Sequence, residues 1–404
     1  MGQFNKSDGD ISMKHLILGY PRAKNKWSCL ERALKKNGHD VDVVTENFDN
    51  IVGPYDRIYT VSESLLPLHA KLEKLWGLNN ISEKAADILS DKSKMDSHCR
   101  YQLGLGSIVP HSIIPTNDKD LDVFENTPFI IKPIIGSGAK PGGLNYLSFR
   151  NKKEFLLHAG TSFFNDNKKG KLDGEFNNRK NYYMAQEQLP DHSILWGPYG
   201  YVNDKGKFKI VLWVRGKVGY NKIDKYSYES KNAEWMSFDE KDVPTDVIET
   251  ANNFFSKVIT SLNLKNMFFS GPDFYKWENT IKYIDCNPRL GQGLQQMDDV
   301  HKGDIVSKIL NDKPYNINKQ IYWVASKLKP GKIKSVKDIR HLKSYFCKTN
   351  NDRLRPGETI PKFTHITTEK APRISFLITG VNEAEMERKF QFVNTELQNC
   401  IEYF

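Results

Sequence analysis

The residues best suited to act together chemically lie between Phe269 and Gly293 (FSGPDFYKWENTIKYIDCNPRLGQG). Asp273 ends one expected strand, Met267–Asp273, and Asp285 falls at the end of the next, Lys282–Cys286, with a hairpin turn at Trp277–Thr280. Asn287 follows two residues later, and strand alternation turns it to the same side as Asp285. Two carboxylates and an amide oxygen on adjacent strands form a hard-oxygen cluster. Mg²⁺ takes such a cluster and completes its shell with water and phosphate oxygens. Arg289 adds a planar guanidinium suited to phosphate or carboxylate. A surface hairpin with ordinary charges explains Asp273 alone, but explains DxNPRxGxG behind a matched aspartate strand less well.

A second stretch is Phe129–Gly143, where Lys132 interrupts an apolar run and GSGAKPGG follows. A lysine there is costly unless its ammonium is paired. The alternative is an edge strand from which it snorkels. One charge beside flexible backbone N–H groups, Gly136, Ser137 and Gly138 among them, is a phosphate-binding device. It is not a Walker A loop, because GxxxxGK[ST] is absent. A third stretch, Met184–Ser193 (MAQEQLPDHS), reads as a strand running into a polar turn. Its backbone could meet an adenine edge, with Gln186 and Glu187 adding side chains; a plain strand end is the other reading.

These residues need a scaffold. Lys14–Gly19, Val41–Thr45 and Arg57–Val61 read as strands, and Trp27–Asn37 has helical spacing, so the N-terminal part is an α/β unit with parallel strands. Leu65–Trp76, Glu83–Leu89 and Lys94–Leu103 read as helices and Val109–Ile114 as extended. Asn165–Asn181 reads as a loop or linker. Tyr199–Val202, Phe208–Val214 and Lys217–Asn221 form an antiparallel series through an NDKG turn. Val247–Leu262 is an amphipathic helix. Ile374–Thr379 and Glu383–Asn399 suggest a small C-terminal α/β lobe.

At about 100–200 residues per domain, 404 residues make two to four domains. Hydrophobic residues are 39% and aromatics 12%, which argues against a disordered chain. Apolar runs stop well short of a membrane span. Met1–Ser12 is polar and reads as a tail rather than a secretory signal, with Met13 as an alternative start. Five scattered cysteines without metal spacing fit a reduced, cytoplasmic protein. The net charge of +10 favours anionic partners. It comes without basic runs, so nucleic acid has only bulk charge behind it.

Together these residues resemble the ATP-grasp superfamily, from about Lys14 to Gly293 and most specifically in IDCNPRLGQG and FIIKPIIGSGAKP. GLNNISEKAADILSDKSKM followed by IVP further resembles its amino-acid ligase branch, which joins carboxylates to amines. The resemblance implies an α/β (α+β) ATP-grasp fold. Its parts are a tail (1–12), a parallel α/β domain (13–92), two ATP-binding lobes (93–183 and 184–302) and a C-terminal lobe (303–404). It implies that a DK motif supplies the first ATP-contacting lysine. Lys92 matches that motif, while the spacing to Pro110 favours Lys94. Lys132 matches the second, phosphate-binding lysine. Gln186, Glu187 and Leu189 fall at the adenine hinge, and His192 or Ser193 at the ribose contact. Asp273, Asp285 and Asn287 match the ligands of Mg²⁺, or of Mn²⁺ in its place. Arg289 matches the arginine that steadies the acyl-phosphate, and Arg215 sits on a strand series that contributes a phosphate contact.

Two departures stand out: aspartate at both carboxylate positions where glutamate is common, and Gln186 where the hinge usually has glutamate. The implied activity is ADP-forming ligation of a small carboxylate, such as an amino acid, to an amine through an acyl-phosphate. The glycine-rich loop and Asn165–Asn181 are the candidate lid. A homodimer is compatible with this. Competing readings are an ATP-grasp carboxylase or kinase with another acceptor, and a nucleotide or nucleic-acid binder without catalysis.

Overall fold

Three short apolar runs near the N-terminus pair as the strand–helix–strand spacing predicts. The computed structural model describes residues 12–135, 147–160, 162–169, 182–190, 192–217, 220–222, 228–230, 234–326, 328–346, 354–360 and 374–404. Strand β1 (Lys14–Leu18) is followed by helix α1 (Lys24–Lys36), β2 (Asp40–Val44) and β3 (Arg57–Thr60). They form a parallel sheet in the order β2-β1-β3. Helix α1 turns Cys29, Leu30, Ala33 and Leu34 inward, the stripe expected of a 3.6-residue period. Helices α2 (Leu66–Leu75), α3 (Glu83–Ser90) and α4 (Lys92–Ser97) follow, and α4 runs on into a π-turn, His98–Gln102. The Ser82 side chain accepts from Ala85 N at the start of α3, and Asp91 accepts from Ser93 and Lys94 N at the start of α4.

A four-stranded antiparallel sheet comes next. It contains β4 (Ser112–Ile113), β5 (Phe129–Pro133), β6 (Leu147–Phe149) and β7 (Tyr183–Glu187) in the order β4-β7-β5-β6, with helices α5 (Lys152–Ala159) and α6 (Ser162–Lys169) between β6 and β7. The paired stretch of β4 is shorter than the extended run expected over Val109–Ile114. Strand β5 is interior, so Lys132 does not snorkel from an edge. Phe129, Ile131, Phe149 and Ala185 bury one face with Phe124 and Phe155. Alternation then turns Ile130, Lys132, Met184 and Gln186 to the other face. Helix α6 occupies the start of the stretch read as a loop, because Phe164 is buried and Asn167 bonds to Pro115 O and to both backbone groups of Tyr183. Residues 170–181 lie outside the described residues, as do Gly136, Ser137, Gly138 and the rest of the glycine-rich turn.

Strands β8 (Ile194–Val202) and β9 (Phe208–Lys217) form the expected hairpin through NDKG. A short ladder, β10 (Tyr220–Lys222) with β11 (Tyr228–Ser230), precedes β12 (Glu234–Phe238), helix α7 (Thr245–Leu262), β13 (Met267–Ser270), β14 (Phe274–Trp277) and β15 (Thr280–Tyr283). The chain closes with α8 (Gln292–Val300), α9 (Ile305–Leu310), β16 (Gln320–Ala325), β17 (Gly331–Val336), β18 (Thr359–Ile360), β19 (Ser375–Gly380), α10 (Glu383–Asn399) and β20 (Ile401–Tyr403). The second large sheet is antiparallel and runs β15-β14-β8-β9-β12-β16-β19, with β13 also on β8. Strands β16 and β19 carry it into the C-terminal region. Helix α7 covers it with Phe254 and Phe255 against Trp213, Phe269 and Phe274. Helices α8 and α9 pack Leu294, Met297, Ile305 and Val306 against Leu30 and Leu34 of α1, joining this part to the N-terminal sheet. Among the described residues no helix is long and apolar enough to cross a membrane.

Candidate functional site

The two aspartates are not set by the strands the sequence predicts. Met267–Asp273 is not one strand: Gly271 has φ +102° and Pro272 lacks an N–H, so β13 stops at Ser270. Asp273 leads into β14 instead of ending a strand. Likewise β15 ends at Tyr283, and Asp285 and Asn287 lie in irregular backbone beyond it. What holds them is a set of hydrogen bonds outside the regular ladder. Asp273 N donates to Asp285 O (2.9 Å), Ile284 N to Asp273 O (3.0 Å) and Ser270 N to Asn287 O (2.9 Å). An added Cβ at Gly271 would lie 3.4 Å from Asp273 Oδ1 and 3.6 Å from Asn287 Nδ2, so both side chains gather round this glycine.

Lys132 reaches this cluster from the other sheet. Its side chain is wholly buried, and Nζ donates to Asp285 Oδ1 at 3.3 Å and Ile284 O at 3.4 Å. The face carrying Lys132 and Gln186 is therefore the one turned toward the aspartates. Burial, and then the neighbouring Asp285 charge, push the Asp273 carboxyl up to about 7, against the pull of Arg289 and Lys132. Among the described residues no group of three or more His, Cys, Asp or Glu side chains is placed to hold a metal ion. The donor set still suits a hard divalent cation. Such an ion would relieve the repulsion between the two carboxylates and would draw on the Asn287 amide and on phosphate oxygens.

Arg289 is held from three sides. Nε donates to Glu63 Oε1 (2.6 Å), Nη1 to Ser270 Oγ (3.0 Å) and Nη2 to Asn287 Oδ1 (3.5 Å). Burial alone would raise the Glu63 carboxyl, but Arg289, with Lys26 and Lys92 nearby, holds it below the ordinary range. Gly291 fixes this corner: a Cβ there would meet Ser270 Cβ at 2.2 Å and Tyr199 Cε1 at 2.3 Å.

The two candidate lysines of α4 part company. Lys92 lines a narrow cleft with Glu63, Asp285, Cys286 and Asn287, and its backbone N bonds to Ile134 O just past β5. Lys94 pairs with Asp87 at 2.7 Å and lines a separate open groove with Tyr101 and His98. Gln186 is fully buried on the inter-sheet face. Glu187 does not join it, because its carboxylate accepts from His111 N within its own sheet. Leu189 is buried, while His192 is exposed. Ser193 is buried and donates to Pro190 O.

Arg215 is not brought to the cluster. It is in register with Trp196, which is in register with Phe274. That row faces opposite Asp273, whose Oδ1 lies 3.3 Å from a Cβ built on Gly197. Arg215 instead pairs with Glu383 at the start of α10 and lies over the Phe238 ring, 4.4 Å from its centroid.

The sequence reading missed three participants: Ser270, Tyr199 and Asp96. Asp96, on α4, is 4% exposed and accepts from Ser112 Oγ (2.9 Å) and Gln186 Nε2 (3.5 Å). Burial, with Asp285 adding to it, raises its carboxyl to about 6 against Lys132 and the Ser112 bond.

A parallel α/β domain, a small antiparallel sheet and a larger one make up the ATP-grasp fold, and in this chain a lysine and two aspartates meet between the last two. No family model matches the chain, and no curated protein does. Solved structures do. An L-amino acid ligase from Bacillus licheniformis is similar over 97% of this chain and 99% of its own, at 14% identity and a TM-score of 0.65. An N5-carboxyaminoimidazole synthetase from Staphylococcus aureus, complexed with ADP, has the same coverage at 11% identity and a TM-score of 0.60. A phosphoribosylglycinamide synthetase from Anaerococcus prevotii covers 97% and 99% at 14% identity and a TM-score of 0.56. The likeness is one of fold.

Proposed function

We propose that this chain is an ATP-dependent, ADP-forming ligase that joins a small carboxylate to an amine through an acyl-phosphate. The observation that carries the reading is the meeting of Lys132 from one sheet with Asp285 from the other, beside Asp273 and Asn287. The L-amino acid ligase among the solved structures of this fold supports the choice of acceptor.

Asp273, Asp285 and Asn287 would hold Mg²⁺ or Mn²⁺, which would supply Lewis acidity and offset phosphate charge. Lys132 would offset charge on the γ-phosphoryl as that group passes to a substrate carboxylate oxygen. Lys92, which lines a cleft with Asp285 and Asn287, would supply a second cation. Gln186 offers an amide to the base. Arg289, pre-set by Glu63 and Ser270, faces the acyl-phosphate as the amine lone pair attacks its carbonyl carbon. Phosphate then leaves, and the amine loses a proton. Most of the rate comes from positioning and fixed charge.

The test is ADP release over a matrix of amino acids, small acids and amines. Turnover should need both an acid and an amine, and Asp285→Ala should abolish it in a folded protein. Full turnover in that variant would overturn the assignment. The synthetases of the same fold keep a bicarbonate acceptor as the second reading; ADP release with bicarbonate alone would select it.

A further inference from the structure

The large sheet turns an uncharged, aromatic wall to the side on which Asp273 lies. A Cβ built on Gly197 comes within 3.3 Å of Asp273 Oδ1, which fixes the side of β8 that carries the cluster. Alternation puts Leu195 on that same side. Register then carries the row across the sheet: Tyr275 pairs with Leu195, Leu195 with Gly216, Gly216 with Trp235, Trp235 with Trp323 and Trp323 with Leu377. None of these six is charged, and neither is Val214 or Ser237 in the row beside Gly197. Charge is thus gathered at one end, with Asp273, Asp285 and Arg289, while the wall leading away from it is apolar.

The wall also has relief. Leu195 and Trp235 are partly exposed, and Gly216 stands between them without a side chain. The three atoms nearest a Cβ built on Gly216 all belong to Leu195, the closest at 3.3 Å. The missing side chain leaves a notch with Leu195 on one flank and Trp235 on the other. Trp235 is backed by the buried Trp323, their rings 6.4 Å apart and 19° from parallel. At the usual strand spacing and rise, Trp235 lies about 12 Å from Gly197 along the sheet. An aromatic amino acid measures about 7 Å from its carboxyl carbon to the far edge of its ring. A van der Waals contact adds about 4 Å, which closes the interval.

We propose that the acid activated at this site carries an aromatic side chain, seated in the notch at Gly216 against Trp235, and that Trp235 is the specificity-determining residue. The inference rests on the ligase reading above and deepens it. The reacting carboxylate takes the charged end and the ring takes the uncharged one. A charged side chain would be dehydrated at the wall without a partner. A small one would leave Trp235 and the notch uncovered and gain nothing from them. Trp235 touches the substrate ring and has no part in phosphoryl transfer.

The test measures ADP release by the full chain with ATP and Mg²⁺. L-phenylalanine and L-tryptophan are compared with L-alanine and L-glutamate as the acid, over one set of amines that lack a carboxyl group. The aromatic acids should exceed alanine in kcat/KM by about tenfold or more. Trp235→Ala should bring that ratio within about threefold, through KM for the acid, with KM for ATP unchanged. Trp235→Phe should keep most of it. Gly216→Ala fills the notch, and the end of Leu195 can yield to the added methyl. It should lower phenylalanine turnover several-fold more than alanine turnover. No preference among the acids, or one that survives both Trp235→Ala and Gly216→Ala, overturns the inference and leaves the ligase reading intact. A rise in KM for ATP in step with that for the acid would give the wall to the nucleotide and overturn it too. So would an aromatic preference seen only on the amine, with 2-phenylethylamine against ethylamine and alanine as the acid. No ADP release with any acid–amine pair overturns both readings.

Discussion

The contact between Lys132 and Asp285 joins the two antiparallel sheets, and its strength can be worked from its geometry. At 3.3 Å and an effective dielectric of about 20, two unit charges attract by about 5 kcal/mol. Asp285 is 18% exposed and both groups are dehydrated, which leaves about 2–3 kcal/mol as the coupling expected in a double-mutant cycle. Lys132→Met keeps most of the buried volume but leaves Asp285 facing Asp273 without its countercharge. Asp285→Asn leaves a fully buried ammonium without its carboxylate. Each should destabilise the fold by about 3 kcal/mol, the second more than the first. The double variant removes both charges and should cost well under the sum. Urea unfolding of the four proteins, read by tryptophan fluorescence at a common slope, measures the difference. Additive losses, to within about 0.5 kcal/mol, would mean that the sheets are not tied by this pair, and the site would lose its frame.

Other perturbations read other parts of the structure. Gly291→Ala drives a methyl into Ser270 and Tyr199, so Arg289 should lose its seat and ADP-forming turnover should fall by about 100-fold. Gly293→Ala, whose nearest neighbour is Tyr199 at 3.2 Å, should cost much less in the same assay. Arg215→Ala removes a partly buried ion pair and a cation–π contact. It should lower stability by about 1–2 kcal/mol and leave nucleotide affinity unchanged, as thermal melts and calorimetry would report. His15, on β1, is buried against His39 and Tyr59; burial first, then His39 and Arg57, lower it to about 4, with Asp56 pulling the other way. The unfolded imidazole takes up its proton near 6.5 and the folded one not until about 4. The contribution of His15 to stability should therefore be full above about pH 6.5 and be lost, by about 3 kcal/mol, on acidification to about pH 4, while the raised carboxyls of Asp273 and Asp96 contribute with the opposite sign over that range. The difference in melting temperature between wild type and His15→Phe, followed against pH, should isolate that contribution, the wild type losing ground to the variant as the pH falls from about 6.5 to about 4.

The sequence made some of this site legible and hid the rest for definite reasons. Lys132 could be singled out because one charge amid FII and PII has to be paired or wasted, and it is paired. The identities of Asp273, Asp285 and Asn287 were readable from the motif, but their placement was not. Alternation beyond Lys282–Cys286 was the argument for Asn287, and β15 stops at Tyr283 before reaching it; Pro272 likewise ends the strand that was to carry Asp273. Arg215 looked well placed because the resemblance puts a phosphate contact on its strand series. Which face a residue takes depends on register with β14, which neither strand declares alone. The Glu63–Arg289 pair spans 226 residues. Asp96 sits in a six-residue helix too short to show a periodic face, and its partner Gln186 arrives some ninety residues later.

The long sheet also carries a consequence for synthesis. Strand β12 pairs on one side with β9, which precedes it, and on the other with β16, which the ribosome delivers about 80 residues afterwards. At about 5–20 residues per second, the outer edge of Glu234–Phe238 waits roughly 4–16 s for its neighbour. During that interval it is an unsatisfied row of amides and carbonyls open to any passing strand. A nascent chain stalled in that window is thus the form most exposed to aggregation and to chaperone capture.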